Sequence, residues 1–257
     1  MIFDSHMHTE FSSDSKMKIE EVIEKGKQLN IGTIITEHMD YNYPKENLFR
    51  VNCDEFFNTY SNYRSDTLLL GIEIGLAHSI VDKNNKISNS YPFDFILGST
   101  HSIDDIDIFS DPRKETLSKK EYLSKYFKQM IENISEFDNF DSLSHIDYPC
   151  RYLKYDDNEL YLSDFSNYFD EIFNIIIKKG KVIELNTKRL NNEKSTKELT
   201  KIYKRYKELG GKYVTIGSDA HNKESIGANL EVAKIVLKET GLIPVYFKER
   251  KMNIINI

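Results

Sequence analysis

Six of the chain's seven histidines stand in spacings that suit a bound metal ion. His6-Met7-His8, Thr36-Glu37-His38, Ser99-Thr100-His101, Ser144-His145 and Asp219-Ala220-His221 each follow a short apolar run, and another run ends in Gly71-Ile72-Glu73. Side chains two apart in an extended segment point the same way. His6 and His8 can therefore reach one ion, and Asp219 and His221 can face one pocket. Each fragment alone has a plainer reading. A lone histidine at a strand end is usually a hydrogen-bonded polar residue, Glu73 can pair with a nearby cation, and Asp219-Ala220-His221 can be turn chemistry ahead of a helix. Six histidines and two carboxylates at successive strand ends do not fit that reading together. A nitrogen-and-oxygen donor set without cysteine suits Zn, Mn or Fe in a catalytic site and explains a structural zinc poorly. His78 lies in a polar stretch and is expected at the surface.

The elements that must position these residues read as strand–helix alternation. Apolar runs rich in Ile, Val, Leu and Phe occur at residues 2–5, 31–36, 67–73, 93–98, 142–144, 181–185 and 213–217. Between them lie stretches of helical period. In 117–137, Tyr122, Leu123, Tyr126, Phe127, Met130 and Ile134 share one face, and 163–179 repeats the pattern from Phe165 to Ile176. Ser195-x-x-Glu198 reads as a capping box opening a helix that Gly210 closes, and Gly241 closes another beginning near Ala228. The polar segments 41–53, 76–92 and 102–116 are expected as loops, and 243–257 as short strands outside the repeat. Seven strands alternating with helices over 257 residues point to a single α/β domain, 1–257, built as a (β/α)7 TIM-like barrel. No Gly-rich loop follows the first strand, which weakens a dinucleotide-binding alternative. In a barrel the strand ends converge on the face that carries active sites.

Composition narrows the partners. Hydrophobic residues make up 39% of the chain, enough for a full core, and the 30% that are charged alternate in sign along the helices as solvated faces do. A net charge of −6 argues against a general nucleic-acid surface. It leaves room for a small phosphorylated substrate, because bound divalent cations reverse the charge locally. Cys53 and Cys150 show no CxxC pattern or disulfide framework. The first residues are strand-like rather than a signal peptide, and no apolar run approaches the ~20 residues of a membrane span. A cytoplasmic protein without membrane or nucleic-acid partners is expected; oligomeric state leaves no mark in the sequence.

The motifs taken in order carry a family resemblance. His6-Met7-His8-Thr9, Thr36-Glu37-His38, Gly71-Ile72-Glu73, Ser99-Thr100-His101, Ser144-His145-Ile146-Asp147 and Gly217-Ser218-Asp219-Ala220-His221 resemble the polymerase-and-histidinol-phosphatase (PHP) superfamily, from the first residues to about 225. HMHTEFSSDS at 6–15, ITEHMD at 35–40, SHIDYPCRY at 144–152 and ELNTKRL at 184–190 are similar to its histidinol-phosphatase branch. The resemblance implies a distorted seven-stranded barrel around three divalent ions, Zn, Mn or Fe. Carried over position by position, one ion takes His6, His8, Glu73 and Asp219. A second shares Glu73 and adds His101 and His145. The third takes His38, His221 and Asp14, where many relatives have His. Asp is a competent oxygen ligand that shifts preference toward harder ions; the other reading of Asp14 is a helix N-cap beside Ser15. Glu73 and Asp219 would serve catalysis through the metals.

By the same resemblance the chain is a metal-dependent phosphatase that splits L-histidinol phosphate into L-histidinol and phosphate, late in histidine biosynthesis. Water activated by the ions is the expected nucleophile, with no Ser or Cys nucleophile and no covalent phospho-enzyme. Arg151 and Arg189, just beyond strand ends, are the expected phosphate clamps through their guanidinium forks; ordinary surface arginine is the plainer reading of each. Asn186 is a candidate for bonding substrate, and Asp40 and Asp147 for orienting ligand histidines. Three alternatives compete. The same centre can act on a nucleotide, sugar phosphate or phosphotyrosine. An amidohydrolase-type deaminase is disfavoured by His101 on the fourth strand and the paired Asp219 and His221. A non-catalytic PHP module is disfavoured because only Asp14 departs from the common ligand set.

Overall fold

The computed structural model describes residues 1–256. Its main sheet has nine strands. The first seven in spatial order are β1 (Phe3–Asp4), β2 (Gly32–Met39), β3 (Leu68–Gly75), β4 (Phe95–Ser99), β7 (Ser142–Leu143), β8 (Val182–Asn186) and β9 (Tyr213–Gly217), all parallel. They fall where the apolar runs predict. Every residue of β2 and β3 is buried, as expected of parallel strands covered on both faces. Helices α1 (Ile19–Leu29), α2 (Cys53–Tyr60), α3 (Val81–Ser90), α4 (Lys119–Glu136), α5 (Leu162–Lys178), α6 (Glu193–Glu208) and α7 (Leu230–Thr240) form the connections.

The α4 stripe Tyr122, Leu123, Tyr126, Phe127, Met130 and Ile134 is fully buried, with Phe127 edge-on to Phe169 of α5 at 5.0 Å. The seam between first and seventh strands is where the barrel departs from regularity. No continuous ladder joins β1 to β9, yet Ser5 N bonds Ile216 O at 2.7 Å, Asp219 N bonds His6 O and His8 N bonds Ala220 O, both at 2.8 Å. These bonds hold the segment carrying His6 and His8 against the segment carrying Asp219 and His221.

Four expectations are corrected. Residues 76–92 are not all loop, since α3 runs through them. Asn84 and Ser88 are the buried residues of that helix, so no apolar stripe announces it; Asn84 Nδ2 ties it to Gly75 O at 2.9 Å. Residues 102–116 contain a hairpin, β5 (Ser102–Ile103) and β6 (Ile106–Asp107), turning on Asp104 and Asp105 at φ 53° and 59°. The cap of α6 is Asn192, which accepts from Ser195 N at 3.0 Å, while Ser195 donates its hydroxyl to Glu159. The chain's end is not outside the repeat. β10 (Ile243–Lys248) pairs in parallel with β9, and β11 (Lys251–Ile254) returns antiparallel. The turn between them seals the barrel's amino-terminal end: Glu249 N and Arg250 N donate to Asp94, and Arg250 Nε to Asp141, at 2.6–2.9 Å.

Candidate metal centre

The strand ends bring the expected donors together around Glu73, a fully buried carboxylate on β3. Glu73 Oε1 lies 3.3 Å from His6 Nε2 and 3.2 Å from both His101 Nε2 and His145 Nε2; Oε2 lies 3.4 Å from His8 Nε2 and 2.9 Å from His38 Nδ1. Asp219 Oδ1 is 3.6 Å from His6 Nε2 and 3.5 Å from His8 Nε2. Asp14 reaches the remaining pair, with Oδ2 3.1 Å from His221 Nε2 and 3.6 Å from His38 Nε2. All nine expected donors thus lie in one cluster, and Asp14 is no helix cap. His78 stands apart, exposed and bonded to Glu136.

Two observations test the fit to metal ions. Ligands about 2.0–2.1 Å from a tetrahedral zinc stand roughly 3.3 Å from one another, and the donor separations here centre on that value. Glu73 Oε2 and His38 Nδ1 are buried, 2.9 Å apart, and make no hydrogen bond. A buried polar atom without a partner is costly, and a cation between such atoms removes the cost. Among the three-donor groups are His6, His8 and Glu73; Glu73, His101 and His145; and His8, His38 and His221, and donors also gather as His6, His145 and Asp219 and as His38, Asp40 and His101. The residues fit divalent ions. His8 leans toward the third group as well as the first, a sharing the sequence did not suggest.

The electrostatics agree. Burial opposes charge on His6, His38 and His101, yet Glu73 with Glu184, Asp14 and Asp40 holds all three imidazoles well above their usual range. Burial likewise opposes charge on Glu73, but His6, His101 and His38 hold its carboxyl well below the usual one. A cluster that draws protons onto its imidazoles is one from which divalent ions would release them.

Ring orientation is set one bond further out, mostly by residues with no signature in the sequence. His6 Nδ1 donates to Glu184 Oε1 at 2.7 Å, leaving Nε2 for an ion. His8 Nδ1 donates to Ser12 Oγ at 3.1 Å, and Ser12 Oγ donates to Glu37 Oε2 at 2.5 Å. His101 Nδ1 donates to Asp40 Oδ1 at 2.9 Å, the role expected of Asp40. Asp147 does not orient a histidine; it accepts from Arg189. Two glycines make room for this shell. A Cβ at Gly217 would lie 2.1 Å from Glu184 Oε1, and one at Gly75 would lie 1.9 Å from Asp40 Oδ1. Asp219 itself sits at φ 54°, a conformation Asp tolerates better than most side chains. Lys188 Nζ steadies its carbonyl at 2.9 Å.

Seven of the nine donors, all but His6 and His8, line a cavity of about 420 Å³ that Arg151 and Lys188 also line. Arg151 pairs with Asp219 and donates to Asn186 Oδ1 at 3.0 Å. Arg189, the other expected phosphate clamp, is not in the cavity lining. Its guanidinium is taken up by Asp147 at 3.1 Å and Glu159 at 2.9 Å, and Lys188 occupies the position by the pocket instead. Both residues lie in the turn that follows β8, where Lys188 is directed to the pocket and Arg189 to the Asp147–Glu159 pair.

Known proteins resemble the chain over most of its length. The PHP domain family model matches residues 4–188. A probable histidinol-phosphatase of Clostridium acetobutylicum is 45% identical over 252 residues, covering 98% of this chain and 99% of that protein. A histidinol-phosphatase of Lactococcus lactis subsp. lactis is 27% identical over 249 residues, 93% of this chain and 91% of that protein. The crystal structure of histidinol phosphate phosphatase from Lactococcus lactis, complexed with Zn, L-histidinol and phosphate, matches with a TM-score of 0.91 at 26% identity, over 98% of each chain. A family model spanning the strands that carry most of the donors, and an end-to-end relative at 45% identity, show that the chain belongs to the PHP domain family.

Proposed function

We propose that this chain is a histidinol-phosphatase, a metal-dependent phosphomonoesterase converting L-histidinol phosphate to L-histidinol and phosphate in histidine biosynthesis. The observation that carries the reading is the Glu73-centred donor cluster on the floor of a cavity that also holds Arg151 and Lys188. The names of the 45% identical relative and of the zinc, histidinol and phosphate complex support the substrate. We assign three ions, Zn, Mn or Fe. The first would be held by His6, His8, Glu73 and Asp219, the second by Glu73, His101 and His145, the third by Asp14, His38 and His221. Bound there, such ions supply Lewis acidity, lowering the pKa of water and offsetting charge on phosphoryl oxygens.

The chain's own residues do the rest. Arg151, its Nε buried and without a partner, offers a planar donor to a phosphate at the cavity floor, and Lys188 adds a second cation. Glu184, Ser12 with Glu37, and Asp40 keep the donor nitrogens of His6, His8 and His101 turned inward. Cys53 and Cys150 are buried, which pushes both thiols up to about 12, so neither is a thiolate nucleophile. No helix among the described residues is long and apolar enough to cross a membrane. The partner is a small phosphorylated molecule rather than a nucleic acid, and the site of action is the cytoplasm.

The test is a panel of phosphate monoesters, assayed with protein whose Zn, Mn and Fe content has been measured. L-Histidinol phosphate should give the highest kcat/KM. A better nucleotide or sugar phosphate would overturn the substrate and leave the phosphatase; no turnover in any metal-loaded form would overturn both.

A further inference from the structure

The cavity is bipolar. Its floor gathers the ion-binding cluster with Arg151 and Lys188, while its outer wall carries Asp105 and Asp107 of the β5–β6 hairpin together with aromatic rings. Asp107 is half-buried and held in place, its Oδ2 accepting from Ser110 N at 3.0 Å and Ser110 Oγ at 2.9 Å. Its other oxygen accepts no bond among the described residues. Asp104, next to Asp105 in the turn, is outside the cavity lining and pairs with Arg113 at 2.6 Å. Among the described residues no Lys or Arg pairs with Asp105 or Asp107; Asp105 accepts a neutral hydroxyl, Ser79 Oγ, at 3.1 Å. Phe109 follows on the same loop. It is 66% exposed, more than any other large apolar side chain among the described residues, and stands edge-on to Tyr152 at 5.2 Å over the same cavity.

A phosphate dianion on the floor leaves the alcohol half of an ester against this wall. Two unneutralised carboxylates there favour a cation and repel a second anion, and an exposed ring gains by lying over a flat or cationic group. We propose that Asp107, with Asp105 beside it, selects phosphate esters whose alcohol half is positively charged, and that Phe109 covers that half. The inference rests on the phosphomonoesterase reading and names the residues that sort its substrates.

The experiment compares kcat/KM of metal-loaded protein on two cationic esters, L-histidinol phosphate and O-phosphoethanolamine, and on two neutral-alcohol esters, phenyl phosphate and ethyl phosphate. The cationic-to-neutral ratio is the readout, because a merely structural change lowers both classes alike. Losing a hydrogen bond to a charged group should lower that ratio about ten-fold or more in Asp107→Asn, chiefly through KM. Asp107→Glu should restore most of it. Phe109→Ala should lower kcat/KM for L-histidinol phosphate more than for O-phosphoethanolamine, which has no ring to cover. A ratio unchanged in Asp107→Asn, whether or not overall turnover falls, overturns the proposal alone. Wild-type protein inert on all four esters overturns the phosphatase reading and this one with it.

Discussion

A Cβ at position 217 would stand 2.1 Å from Glu184 Oε1 and 2.4 Å from the His6 Cβ, so Gly217→Ala must push the carboxylate off His6 Nδ1. The variant touches no donor atom directly. It should still lose bound metal and 10- to 100-fold in kcat/KM, the usual cost of removing a residue that orients a ligand histidine. Metal analysis beside steady-state kinetics decides it, and full metal content with wild-type turnover would sink the role given to Glu184. The two arginines separate in the same way. Arg151→Ala should raise KM for the phosphate ester. Arg189→Ala strands Asp147 and Glu159 in a nearly buried pair of ion bonds and should cost about 3–5 kcal/mol of stability, read as a fall in Tm, with KM little changed. The donors were legible because each belongs to a short local pattern. Glu184 was not, since its partner lies 178 residues away, and nothing local distinguishes it from any strand carboxylate. The same holds for Glu37 and Ser12. Lys188 and Arg189 lie in a turn beyond β8, where no strand period tells which of them faces inward.

At the scale of elements, Asn192 offers a direct test of where α6 begins. Asn192→Ala removes the acceptor for Ser195 N and should destabilise by about 1 kcal/mol, or roughly 2–4 °C in Tm for a chain of this size. Ser195→Ala leaves that cap standing; its effect should come instead through the hydroxyl bonds to Glu159 and Arg189. A larger thermal loss for helix α6 amides in Ser195→Ala than in Asn192→Ala, followed by hydrogen exchange, would return the cap to Ser195. The misreading has a simple cause. Ser-x-x-Glu matches the capping pattern, but Glu198 is bound to Lys201 at 2.7 Å, and the helix starts a turn earlier. Strands and the α4–α5 pair were legible because burial on both faces, or on one stripe, leaves a periodic trace. The polar helix α3 buries amide and hydroxyl groups rather than an apolar stripe and leaves none. The β5–β6 hairpin depends on two aspartates at positive φ, where a sequence reader looks for Asn or Gly.

Over the whole molecule, the donor cluster links strand ends from β1 round to β9 and spans the irregular seam, where backbone bonds are few. Ions that bind only the folded chain stabilise it by about 4 kcal/mol at a thousand-fold excess over Kd, on the order of 10 °C in Tm at this chain length. Chelation should therefore lower Tm by that order, and Zn or Mn should restore it. The pH dependence gives a sharper test, because the two forms respond oppositely. In metal-stripped protein the folded-state values of His6, His38 and His101 lie well above the usual imidazole value, so their protonation stabilises the fold. That contribution is fully present below the unfolded value of about 6.5 and is lost as pH rises through the higher folded values. His8 and His145 are shifted downward, mainly by burial. Above about pH 6.5 they are neutral in both states and drop out. Metal-loaded protein gains over the same window, because imidazoles bind ions only when deprotonated. Differential scanning calorimetry from pH 6.5 to 9 should show the Tm gap between loaded and stripped protein widening with pH. A constant or narrowing gap would mean that these histidines do not exchange protons for metal, and the centre would have to be assigned elsewhere.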